Sequence, residues 1–123
     1  MTDSTSHATL YARLDNWVDA HFDEQTRFVQ ALVRVPSDTP PGNNTPHALR
    51  TAELLGALGL PAQAHEVPAA EVQAMGLQSI TNLVVARRFG AGGPVIALNA
   101  HGDVVPPGDG WTHDPYGGEI VDG

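Results

Sequence analysis

The sequence predicts an α/β fold in which helices pack on a mixed β-sheet that is incomplete at its carboxy-terminal end, and three observations carry that prediction. Apolar residues recur at helical spacing through the first half, as Leu10, Leu14, Trp17 and Val18 and later as Ala48, Ala52, Leu55 and Leu58. Two runs rich in strand formers follow, Asn82 to Arg87 and Val95 to Leu98; the second has no polar alternation, the pattern of a strand covered on both faces. Glu119-Ile120-Val121 then begins a strand, and Asp122-Gly123 is a dipeptide that ordinarily turns one strand into its partner.

Composition sets the outer bounds. A chain of 123 residues allows one domain of ordinary size, able to bury roughly two thirds of its unfolded surface. Hydrophobic residues at 41% against charged residues at 16% place it with globular rather than disordered chains. Fourteen acidic residues against six arginines and no lysine give a net charge of -8, which repels phosphate backbones and anionic lipid, so no nucleic acid and no membrane are expected as partners. Without cysteine, any metal must be held by histidine and carboxylate. Met1 to Leu10 lacks lysine, arginine and the apolar core of a signal peptide, and nothing approaches the ~18 apolar residues of a spanning helix, so a cytoplasmic location is expected.

The elements read in order. Leu10 to Val18, and Phe28, Val29, Leu32, Val33 and Val35 beyond the polar Asp23-Glu24-Gln25 step, make one or two amphipathic helices. Pro36 disfavours helix at Val35, and the turn formers from Ser37 to Asn44 make a loop. Thr45 as cap and Pro46 at the first helical position open a further helix that Gly59 closes, with Pro61 just beyond. Ala62 to Val67 reads as a short strand and Ala69 to Met75 as a helical turn. Gly90-Ala91-Gly92-Gly93 is a turn between Asn82–Arg87 and Val95–Leu98, which are expected to pair antiparallel. From Val104 to Gly118 proline and glycine exclude regular structure.

The chemistry concentrates at His101-Gly102-Asp103, where a strand emerges into a loop. Residues two apart in extended chain point to one side, so an imidazole and a carboxylate are aimed at one spot, with Gly102 keeping the space between them open. Neutral imidazole binds zinc, and a nearby carboxylate fixes its orientation and tautomer. His21-Phe22-Asp23 shows the same spacing in helical surroundings, where such residues do not face each other, and reads as a solvated surface pair. Spacing alone leaves His101 two readings, a metal ligand or a strand-end histidine bonded to backbone. His113 and Asp114 read as loop residues beside a turn-forming Asp-Pro, Trp111 and Tyr116 as side chains that pack this loop down, and His7, His47 and His65 as solvated. The aspartates from Asp103 to Asp114 do not have calcium-loop spacing.

Asn99-Ala100-His101-Gly102-Asp103-Val104-Val105-Pro106, with Gly110-Trp111-Thr112-His113-Asp114-Pro115-Tyr116-Gly117-Gly118-Glu119-Ile120-Val121-Asp122-Gly123, resembles the family that contains acetylornithine deacetylase, succinyl-diaminopimelate desuccinylase, aminoacylase and glutamate carboxypeptidase. Leu32-Val33-Arg34-Val35-Pro36-Ser37, Pro40-Pro41-Gly42-Asn43, Leu58-Gly59-Leu60 and Asn82 to Arg87 support it in family order. The resemblance implies a zinc-exopeptidase-like catalytic domain, of which residues 1–123 are the amino-terminal part, with the lid domain and the remaining ligands beyond Gly123. It implies two zinc ions, with cobalt or manganese as alternatives, and hydrolysis of the amide bond of N-acyl amino acids or small peptides by a complete protein that could be a homodimer. His101 then ligates one metal and Asp103 is the catalytic-site carboxylate that holds the ring. Gly102 stands where such enzymes often have a larger residue, a mild departure because that side chain points away from the metals. On this reading the isolated chain is inactive; the alternative is a non-catalytic truncated product or a binding module that keeps the front half of the fold.

Overall fold

The computed structural model describes residues 4–123. Its elements are α1 (Ser4–Ala20), α2 (Phe22–Val33), α3 (Thr45–Ala57), β1 (Gln63–Glu66), α4 (Ala69–Ala74) and β2 (Thr81–Val84). The expected first helical stretch is thus two helices, broken at His21, whose Nδ1 turns back to the Trp17 carbonyl at 2.7 Å while its ring stacks on the Trp17 indole. Asp23 and Glu24 in the first turn of α2 suit the positive end of its dipole. No described helix is long and apolar enough to cross a membrane.

The loop after α2 leads into α3, which carries Pro46 in its first turn. The cap lies one residue earlier than expected: Asn44 holds the N-cap position, and the hydroxyl of Thr45 instead meets that of Thr81 at 2.8 Å, tying α3 to β2. Gly59 takes φ +72 just past α3. β1 and β2 pair antiparallel, Gln63 opposite Val84 and Glu66 opposite Thr81, with α4 in the connection between them. Helices and a small antiparallel sheet are compatible with the predicted α/β class.

Three expectations need correction. Asn82 to Arg87 pairs not with Val95 to Leu98 but, through its front half, with β1. Val95 to Leu98 forms no strand and is not covered: Val95, Ile96 and Leu98 are 97%, 80% and 94% exposed. Glu119 to Val121 is likewise irregular and exposed. The common cause is that a strand exists only as one side of a ladder; β-propensity without a neighbouring strand leaves the backbone bonded to water.

The same shortage shows in the core. Among the described residues only Ala48 and Val72 are buried hydrophobics, from α3 and α4. The chain exposes 9859 Å², whereas a compact protein of its mass exposes about 6300 Å². Surface on that scale, with Phe89, Ile96 and Leu98 nearly bare, favours contact with other apolar surface. The 123-residue chain alone is therefore expected to self-associate and to bind a hydrophobic dye on size-exclusion chromatography; a dispersed monomer with a sharp cooperative melt would contradict this.

Candidate functional site

His101 to Gly118 contains no helix or strand, so its shape comes from bonds to the rest of the chain. Asp38 and Val104 form an isolated parallel bridge: Val104 N–H donates to the Ser37 carbonyl at 3.2 Å and Thr39 N–H to the Val104 carbonyl at 2.8 Å. The Ser37 hydroxyl, buried with its residue, donates to the Gly102 carbonyl at 2.6 Å. From α2, Gln30 donates its amide to the Gly118 carbonyl at 2.6 Å, and Arg34, just past the helix, donates Nε–H to the Gly117 carbonyl at 3.1 Å. Gly118 is at φ +62, and a Cβ there would lie 3.1 Å from the Gln30 carbonyl, so this close seating on α2 needs glycine.

Within the segment, His101 and Asp103 come together. The His101 Nδ1 lies 2.9 Å from the Asp103 backbone carbonyl and 3.3 Å from its carboxylate. Both oxygens only accept, so Nδ1 carries the proton and the lone pair sits on Nε2. The imidazole is exposed and the carboxylate half-exposed. That is the tautomer an Nε2 metal ligand needs, with the second-sphere carboxylate beside it. Among the described residues, no group of three or more histidine, cysteine or acidic side chains assembles that could hold a metal. The control pair behaves differently: His21 bonds the Trp17 carbonyl, and Asp23 pairs with Arg27 at 3.7 Å.

One neighbour was not legible beforehand. His47, expected to be solvated, is half-buried and packs on Gly102, where an added Cβ would meet its ring at 3.2 Å. Its position next to the apolar Ala48 is the only trace of this in the sequence. Burial lowers the His47 pKa below its usual 6.5. His47 and Gly102 border a groove of about 450 Å³ that also takes in Val35, Val104, Trp111 and Tyr116. The Tyr116 hydroxyl donates to the Asp38 carboxylate; that bond first, then burial and the negative charge, push its pKa up to about 12.

Tyr116 thus fastens its loop to the rest of the chain, as expected, whereas Trp111 bonds only the Pro107 carbonyl of its own loop at 2.8 Å and stays 60% exposed. Asp114 accepts from the Tyr116 N–H at 2.9 Å, the turn role expected of it, and His113 lies exposed at 3.8 Å from Glu119. His7 and His65 are exposed.

Several curated proteins match the chain. It is 40% identical over 96 residues to a succinyl-diaminopimelate desuccinylase of Methylobacterium nodulans, covering 76% of this chain and 22% of that protein. It is 44% identical over 94 residues to the enzyme so named in Nitrobacter hamburgensis, covering 75% and 22%, and 43% identical over 94 residues to that of Rhodospirillum rubrum, covering 76% and 22%. The chain spans about a fifth of the length of these relatives. No family model matches, and no solved structure matches. The chain belongs to the peptidase and amidohydrolase family that contains these desuccinylases.

Two titrations test the site. The unfolded chain binds a proton at His47 more readily than the folded one, so the stability tied to its burial is complete above pH 6.5 and is lost as pH falls through that value. The His47 ring signal is therefore expected to titrate below 6.5, with the Gly102 amide shifting in parallel; independent midpoints would deny the contact. For Tyr116 the sign is opposite, since a raised phenol pKa costs stability only as pH rises above the usual 10. Ultraviolet titration should show one tyrosinate forming near pH 12, a step that Tyr116→Phe removes.

Proposed function

We propose that the protein carrying this chain is a metal-dependent hydrolase of the deacylase and carboxypeptidase type, cleaving the amide bond of N-acyl amino acids or small peptides. The carrying observation is the His101 imidazole, whose Nδ1–H is committed to Asp103 while the side chain stays exposed. The relatives' name, succinyl-diaminopimelate desuccinylase, supports an N-acyl amino acid as the substrate class. Two zinc ions, with cobalt or manganese as alternatives, are the proposed cofactor, and the location is cytoplasmic.

In this chain the residues suit a metal in part: His101 would ligate one ion through Nε2, and Asp103 would hold the ring and strengthen its basicity. The chemistry such ions supply when bound is Lewis acidity toward the scissile carbonyl and acidification of a water. One ligand does not make a catalytic centre, which takes about three per zinc. The remaining ligands and the general base are assigned to sequence outside residues 1–123, and this chain by itself is proposed to be inactive.

In the complete protein, His101→Ala should release metal and reduce turnover by several orders of magnitude, while Asp103→Asn should lower turnover about 10 to 100-fold with less metal loss. Chelation should abolish hydrolysis and added zinc restore it. Normal metal content and rate in both variants would refute the assignment.

A further inference from the structure

We propose that Ser37 is a positioning residue for His101, acting through the Gly102 carbonyl. Ser37 is only 4% exposed, the one buried polar residue among those described. It sits 65 positions from Gly102, yet its hydroxyl donates to that carbonyl at 2.6 Å. Its own carbonyl accepts the Val104 N–H at 3.2 Å, so one residue grips the chain on both sides of Asp103. Asp103 in turn presents the two oxygens that hold the His101 Nδ1–H.

Both peptides flanking Asp103 are therefore fixed by a group anchored outside the loop, and the orientation of His101 follows from them. His47 also packs on Gly102, since its ring leaves no room for a Cβ there without moving. A serine in a turn-rich loop usually bonds its own neighbours. Here the bond runs instead to the carbonyl between the two residues of the candidate site.

The role of Ser37 in tautomer control stands on geometry alone, while its importance for metal affinity rests on the proposed function. The complete protein is labelled with 15N-histidine and examined metal-free at alkaline pH, and zinc affinity is measured separately by competition with a chromophoric chelator. Wild type should show His101 as the Nδ1–H form. Ser37→Ala should give a mixture of tautomers and lower zinc affinity about tenfold, whereas Ser37→Thr, which keeps the hydroxyl, should recover most of both.

Ser79→Ala removes a comparable loop bond, from the Ser79 hydroxyl to Asn43 at 2.7 Å, and should change neither readout. An unchanged His101 spectrum in Ser37→Ala, or an equal change in Ser79→Ala, overturns the proposal. If His101→Ala leaves zinc affinity untouched, the metal reading fails instead, and the tautomer spectrum still decides the role of Ser37.

Discussion

The peptide groups between His101 and Gly118 have no helix or sheet to satisfy them, and the fold around the candidate site depends on who supplies their partners. Five interactions reach in from distant sequence: Ser37 to Gly102, the paired backbone bonds at Val104, Tyr116 to Asp38, Arg34 to Gly117 and Gln30 to Gly118. All originate on α2 or in the loop that follows it. Four of them end on loop carbonyls that would otherwise bond water, so an irregular segment acquires a fixed path without a ladder of its own. Each such bond contributes on the order of 1 kcal/mol, and together they do what a neighbouring strand does elsewhere.

Fully buried apolar side chains are scarce. Ala48 and Val72 alone are buried hydrophobics among the described residues, whereas the strand-forming runs lie open to solvent. Regions with few apolar contacts and many solvent-exposed backbone groups are those that open most readily. By that measure Phe89 to Leu98 is poorly secured, and the segment gripped by α2 and Ser37 is better held although it has no more regular structure. Interactions per residue, rather than helix or strand content, separate the two.

What could be read from the sequence divides along the same line. Local signals were sufficient for the helices: Pro46 and Gly59 bracket α3, and apolar periodicity locates α1 and α2. The strand signals were equally plain at Val95 to Leu98, yet no strand forms there, because pairing is a property of two segments and one run of valine, isoleucine and leucine cannot specify it. At the site, the His101 and Asp103 juxtaposition was legible since it spans two residues. Ser37 was not, because nothing in Pro36-Ser37-Asp38 distinguishes a hydroxyl that bonds a partner 65 residues away from one that caps a local turn. His47 was misread for a related reason: its burial comes from Gly102 of another segment rather than from the spacing of its own helix.

The local and the distant bonds also differ in what each can fix. The bond from Nδ1 to the Asp103 carbonyl sets which nitrogen of His101 bears its proton, and it depends on the two peptides flanking Asp103, both of which Ser37 holds. It does not set where Nε2 points, because a two-residue unit is free to turn as a body. Direction comes from the anchors at Gly102 and Val104, both tied to Ser37, which refer that unit to the frame of α2 and α3. A ligand that must meet partners from other parts of a protein needs both properties: the tautomer so that a lone pair is available, and the direction so that it arrives where the other donors converge. His21 shows the difference, since its Nδ1 is also bonded locally, to the Trp17 carbonyl, while its ring lies stacked on an indole at a helix junction and has no carboxylate behind it.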